Sequence, residues 1–94
     1  MTQEFSLSSK IQISKDILCR TFEGESVLLN PQTGIYFGLG GLGTFIWKQL
    51  QTSSQLQDVL DSILKEYDVE ESKCREDLLK FAVALRKNEI VQIH

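Results

Sequence analysis

The reading of the fold turns on LLNPQTGIYFGLGGLGTFIWKQL, Leu28 to Leu50. It runs strand, tight turn, strand, glycine pair and amphipathic helix with almost no spacer. In "NPQTG", Pro31 presets φ, Asn30 can bond its own downstream backbone, and Gly34 suits a left-handed position, so the segment is a turn with a mechanism. "SVLLN" before it and "IYFGL" after it are apolar and β-rich, and strands joined by so short a turn pair antiparallel. After Gly40-Gly41 the period changes. Leu42, Ile46 and Leu50 recur every four residues, flanked by Phe45 and Trp47, which predicts a helix starting at Gly41 to Gly43.

Working outward, "KIQIS" alternates Ile11 and Ile13, and "DILCRTF" is a short extended run. Glu23-Gly24 makes a hairpin turn, with Gly24 supplying positive φ. On the other side, Ser54 with Gln57 three residues on has the pattern of a capping box. Leu56, Val59, Leu60, Ile63, Leu64 and Tyr67 then follow at helical spacing, the cleanest amphipathic signal in the chain. A third helix is predicted from about Glu70 to Lys87, acidic in its first half and closed by Arg86 and Lys87, an order that suits the helix dipole. Asn88 is the expected left-handed cap, and "EIVQI" reads as a final strand. The prediction is an α+β domain with the order β-β-β-α-α-α-β: an N-terminal three-stranded antiparallel sheet, three helices and a short C-terminal strand. Residues 1–9, rich in Ser and Thr, read as a flexible tail, and residues 10–94 as the domain.

The totals set bounds. Ninety-four residues make one domain with a modest core. The formal net charge of −3 argues against nucleic acid as the main partner. The two cysteines, Cys19 and Cys74, lie far apart and read as small buried or half-buried thiols. With one histidine, His94, four zinc ligands are not available, and no metal or other cofactor is expected. No apolar run reaches the roughly 18–20 residues of a membrane span, and the N-terminus lacks a secretory pattern, so a cytoplasmic location without membrane contact is expected. A Ser/His/Asp set is not feasible and Cys74 has no evident base, so no catalytic residue is named.

Two features stand out. On a wheel at about 100° per residue, Cys74, Leu78, Phe81, Ala82 and Leu85 form one stripe on the third helix. Leu79 and Val83 lie off it, between Arg75 and Arg86, widening the apolar arc to about 200°. The sheet or the tail covers them, or they edge a docking groove. The strand Ile35–Leu39 is the last of a meander and carries no Pro, Lys or charge to blunt its edge. Its edge is covered by the C-terminal strand or open to a partner strand, which would bind through backbone hydrogen bonds with side-chain pockets giving specificity. A second copy of the chain could use the same edge to form a homodimer. Phe37 and Leu39 read as core, and Tyr36 as a half-exposed contact.

"VLLNPQTGIYFGLGGLGTFIWKQL", the capped helix ending "EYDV", a third helix carrying "DLLKF" and the terminal "IV" together resemble the PqqD-like family, the peptide recognition elements of ribosomally made peptide natural products. The resemblance spans about Lys10 to Ile93 and is most specific from Asn30 to Leu50. Many relatives carry Asn after the strand's last Leu, where this chain has Gly40. The resemblance implies a winged helix-turn-helix-like fold that binds peptide. A precursor's leader segment would add as a strand to Ile35–Leu39 and pack on the third helix. It would then be presented to a leader peptidase or modifying enzyme. The discrete leader-binding proteins of lasso-peptide pathways are the best match, and the stand-alone partner of a radical enzyme in the quinone-cofactor pathway is next. On this reading the backbones of Ile35, Tyr36, Phe37, Gly38 and Leu39 meet the incoming strand. Leu78, Leu79, Ala82 and Val83 line an apolar pocket, and Arg75 and Arg86 meet acidic leader residues at its rim. A winged-helix DNA-binding regulator is the alternative. Against it, the third helix interleaves four acids with five bases, without the one-sided basic stripe a phosphate backbone selects.

Overall fold

Glu23 and Gly24 both have positive φ, 53° and 83°, the signature of a two-residue type I′ hairpin whose twist matches its flanking strands. The turn joins β2 (Leu18–Phe22) to β3 (Glu25–Asn30), and "PQTG" joins β3 to β4 (Ile35–Leu39). Asn30 and Gly34 behave as their types dictate. The Gln32 amide donates to Asn30 Oδ1 at 2.8 Å, and Gly34 sits at φ 76°. The result is a three-stranded antiparallel sheet in the order β2-β3-β4, with Leu28 opposite Phe37 and Ser26 opposite Leu39. The computed structural model describes residues 6–93. The remaining part of the predicted tail (1–5) and His94 lie outside the described residues.

The Ile11–Ile13 stretch is a strand of its own, β1. It pairs antiparallel with β5 (Val91–Ile93), forming a second, two-stranded sheet. The C-terminal strand therefore does not cover β4. Three helices follow β4 in the chain: α1 (Gly41–Leu50), α2 (Leu56–Glu66) and α3 (Glu71–Lys87). The architecture is the α+β, winged-helix-like arrangement expected, with the larger sheet as the wing.

Two local expectations fail. The Ser54/Gln57 capping box does not form: the N-cap is Gln55 and makes no side-chain cap bond, while Gln57 Nε2 donates instead to Asp61. A backbone group takes over, since the Gln57 amide donates to the Leu7 carbonyl at 2.9 Å and the Ile11 amide to the Ser54 carbonyl at 2.7 Å. An orphan helix donor accepts any well-aimed oxygen, and here the preceding chain supplies it. Asn88 is not left-handed either, at φ −92°. Glu89 takes that conformation at φ 59°, while Asn88 Nδ2 donates to the Ala84 carbonyl.

The core gathers Leu28 and Leu39 from the wing, Ile46, Trp47 and Leu50 from α1, Leu56, Val59, Leu60 and Ile63 from α2, and Cys74, Leu78, Ala82 and Leu85 from α3. Three hydroxyls tie the wing to α1: Thr44 Oγ1 donates to Ser26 Oγ at 3.0 Å, and Thr21 Oγ1 lies 3.0 Å from the same oxygen. Asn30 Nδ2 donates to the Glu89 carbonyl at 2.8 Å, fastening the wing's turn to the end of α3.

Candidate functional site

β4 has β3 on one side and no described strand on the other. Its outward backbone groups are a template for a further strand. Side chains alternate across it: Tyr36 is 69% exposed on the outer face, whereas Phe37 is half-buried and Leu39 buried on the inner face. On the inner side of β4 stands α3. The Phe37 and Phe81 rings, 6.2 Å apart and tilted by 56°, join strand to helix. Glu89 near Asn30 sets one end of this relation and Cys74 near Leu39 the other, so α3 runs opposite in direction to β4.

At the Leu39 end the cleft deepens into a cavity of about 320 Å³. Gly38 and Leu39 of β4, Gly43 and Ile46 of α1, and Cys74, Leu78 and Phe81 of α3 line it, and the surface is mostly apolar. Leu42 and Val69, both more than 40% exposed, stand at its rim. Lys73 and Asp77, paired at 3.4 Å, are the charged groups of the lining. Burial pushes the Cys74 thiol above its ordinary pKa, and the Asp77 carboxylate adds to the shift. A thiol held protonated is a poor nucleophile. Cys19 is exposed at the far edge of the wing. Among the described residues no group of three or more His, Cys, Asp or Glu could hold a metal ion.

The predicted site residues fall in four places. Gly38, Leu39 and Leu78 come together in the cavity, with the β4 backbone beside it. Ala82 is buried in the core below. Leu79 and Val83 lie on another flank of α3, in a shallow depression shared with Glu76 and Lys80. Arg75 is on that side, 3.2 Å from Glu71. Arg86 lines a polar hollow with Lys15, Gln32 and Glu89. Phe81, Cys74, Gly43 and Val69 are cavity residues that sequence reasoning did not name as a site. The Phe81 signal was present in its helical spacing from Cys74 and Leu78, but spacing alone made it core.

The model of the family "Coenzyme PQQ synthesis protein D (PqqD)" matches residues 25–91. The chain belongs to the PqqD family. That match begins at the first residue of β3 and ends at the first of β5, so it takes in the β4 edge, α3 and the cavity between them. Two solved structures are similar to this PqqD family member. One is "TbiB1 in Complex with the TbiA(beta) Leader Peptide", 34% identical, with a TM-score of 0.81 over 86% of this chain and 94% of that one. The other is "Lasso peptide synthetase B1 complexed with the leader peptide", with a TM-score of 0.77 over 88% of this chain and 98% of that one. At 22% identity, the latter speaks for the fold alone. No curated protein matches the chain significantly.

Proposed function

We propose that this protein is a non-catalytic adaptor that binds the leader segment of a ribosomally made precursor peptide and presents it to a processing enzyme, in lasso-peptide biosynthesis. One observation carries the reading: β4 has an open edge facing an apolar cleft against α3. A peptide added there satisfies the strand's outward N–H and C=O groups and buries alternate side chains in the cleft. The 34% identity to a protein solved with a leader peptide supports the same reading. The backbones of Ile35 to Leu39 hold the strand, and Leu78 and Phe81 receive its side chains.

The depression at Leu79 and Val83, with Arg75 beside it and Arg86 further along α3, is the proposed extension of this surface. Leu79→Asp tests it. A loss of affinity above tenfold in a folded variant extends the leader's path onto that flank, and a change within about twofold confines the leader to the cleft.

The processing enzyme needs a second surface, because the cleft is filled when the leader is bound. We assign it to the outer face of the wing. Leu18, Leu29 and Tyr36 form one cross-strand row there, Val27 lies in the next, and Phe22 stands at the hairpin end, 77% exposed. An exposed apolar face of this kind marks an interaction site. Val27→Asp should leave leader affinity unchanged and abolish stimulation of the leader peptidase.

The direct test is titration of the purified protein with synthetic leaders from precursor genes neighbouring its own, with a scrambled peptide and duplex DNA as controls. Saturable submicromolar binding to one leader is expected. Binding to DNA and to no leader would move the protein to the winged-helix regulators, and a concentration-dependent dimer that binds neither would assign the open edge to a second copy.

A further inference from the structure

The chain between α2 and α3 reads Glu66-Tyr67-Asp68-Val69-Glu70, acid and apolar by turns. It is extended at Tyr67 (φ −123°, ψ 141°) and at Glu70 (φ −73°, ψ 133°). Its apolar members lie against the start of α1. The Tyr67 ring meets Phe45 edge-on at 5.3 Å, and Val69 stands with Leu42 at the Leu39 end of β4. Neither contact removes them from water: Tyr67 is 37% exposed, Val69 43% and Leu42 41%. The result is an apolar corner on the surface, outside the core and away from the wing's outer face.

The carboxylates around this corner are uncommitted. On α3, Glu71, Glu76 and Asp77 are each paired with a base. Glu66, Asp68 and Glu70 are exposed, and among the described residues none lies within ion-pair distance of one. Lys73, the nearest base of α3, is held by Asp77 at 3.4 Å, and Arg75 by Glu71 at 3.2 Å. Glu66 also ends α2, where the helix dipole favours a base. Like charges gathered in this way repel one another and weaken the fold locally. An opposite charge on an occupant offsets that cost.

Apolar surface bordered by unpaired acids fits a side chain with an apolar stem and a positive head. Lys and Arg have that form, laying their methylenes on apolar surface while the head stays at the rim. The Tyr67 ring adds an attraction for a cation over its face. Position names the bearer. Both strand pairs of the wing are antiparallel, and a leader strand added to β4 in the same sense enters at the Leu39 end. The leader residues before its strand therefore pass the corner.

We propose that the corner where Tyr67 and Val69 meet α1, with Glu66, Asp68 and Glu70, binds a basic stretch of the leader immediately N-terminal to its strand-forming segment. The proposal rests on the leader-binding reading above and adds a charged feature to what is selected. Exposed contacts of this kind act on association rate and salt dependence more than on release.

The experiment is a charge-neutralisation cycle with the leader from the neighbouring precursor gene. The residues preceding the segment that protects β4 amides should include Lys or Arg, and a leader that binds with neither there overturns the proposal. The leader and a form with those bases changed to Gln are titrated against wild type and the Glu66→Gln/Asp68→Asn/Glu70→Gln variant. Each titration is run at about 50 mM and about 300 mM salt, on either side of the screening range. At low salt, neutralising either side should lower affinity about fivefold, the sum of a few exposed pairs. Neutralising both should cost little more than neutralising one, and the difference should shrink at high salt. The variant should melt no lower than wild type, since no ion pair is lost. If it binds the leader as wild type does at low salt, or loses the same factor for the neutralised leader, the acids do not meet the leader and the proposal is wrong. Normal leader binding with lost stimulation of the peptidase would give the corner to the enzyme and overturn it equally. Failure of the wild type to bind any leader would instead refute the adaptor reading itself.

Discussion

Asn30 shows how one side chain can hold a site in place. Its Oδ1 accepts from the Gln32 amide within the β3-β4 turn, and its Nδ2 donates to the Glu89 carbonyl after α3. Asn30 is 4% exposed, and both bonds are part-buried, so truncation removes two hydrogen bonds whose partners, on the exposed residues Gln32 and Glu89, can turn to water. Asn30→Ala should therefore destabilise by about 1–3 kcal/mol, about 0.5–1.5 kcal/mol for each lost bond, read from denaturant unfolding. Leader affinity should fall with it, because the bond to Glu89 sets how α3 stands beside β4. The turn role of Asn30 was legible in "NPQTG". The bond to a carbonyl fifty-nine residues away was not, since sequence gives local partners and not distant ones. The cysteines separate in the same way. Cys74 has its pKa raised by burial and by Asp77, so its neutral form is the one the fold favours. This contribution to stability is full below the ordinary thiol pKa and is lost as pH rises through the raised value. At pH 8 an alkylating reagent should modify Cys19 promptly and leave Cys74 largely intact in the native protein, as read by mass spectrometry. Equal rates would contradict the burial.

At the scale of elements, α2 was the clearest prediction and its start the weakest. The spacing of Leu56, Val59, Leu60 and Ile63 dictates a helix with one buried face, and all four are buried. The capping box competes with a better-placed acceptor, the Leu7 carbonyl. Leu7 also packs against the core, so the described part of the N-terminal segment is tied to α2. Removing residues 1–9 should cost about 1–2 kcal/mol, the scale of a lost cap. For a domain of this size each kcal/mol lowers Tm by about 4–8 °C. Ser54→Ala should shift Tm by less than about 2 °C, because no cap bond is lost. The pairing of the first strand was not legible for a related reason. "KIQIS" alternates correctly for a strand, but alternation does not reveal a partner, and its partner is the C-terminal strand.

For the molecule as a whole, the sequence showed an unblunted strand and an over-wide apolar helix face, and resemblance joined them into one site. The wheel of α3 gives angles between side chains but not which angle faces the sheet. Leu79 and Val83 were visible because they broke the stripe. Phe81 and Cys74 were part of the stripe, and only the fold shows that the stripe's edge opens into a cleft beside β4. Gly43 was legible only as part of the start of a helix, and its place in the cavity wall needs Leu39 and Phe81 in position. In the proposed function the two surfaces of the wing divide the work: its open edge and inner face for the leader, and its outer face for the enzyme. Mutations on one should not disturb the other, since they lie on opposite sides of a single sheet.

The central claim is strand addition at β4, and amide hydrogen exchange of the labelled protein with and without its leader tests it most directly. The account predicts slowed exchange at alternate amides between Ile35 and Leu39, the outward ones, with chemical-shift changes at Gly43, Leu78 and Phe81. Tight leader binding that leaves the exchange of every β4 amide unchanged would contradict it, whatever the affinity.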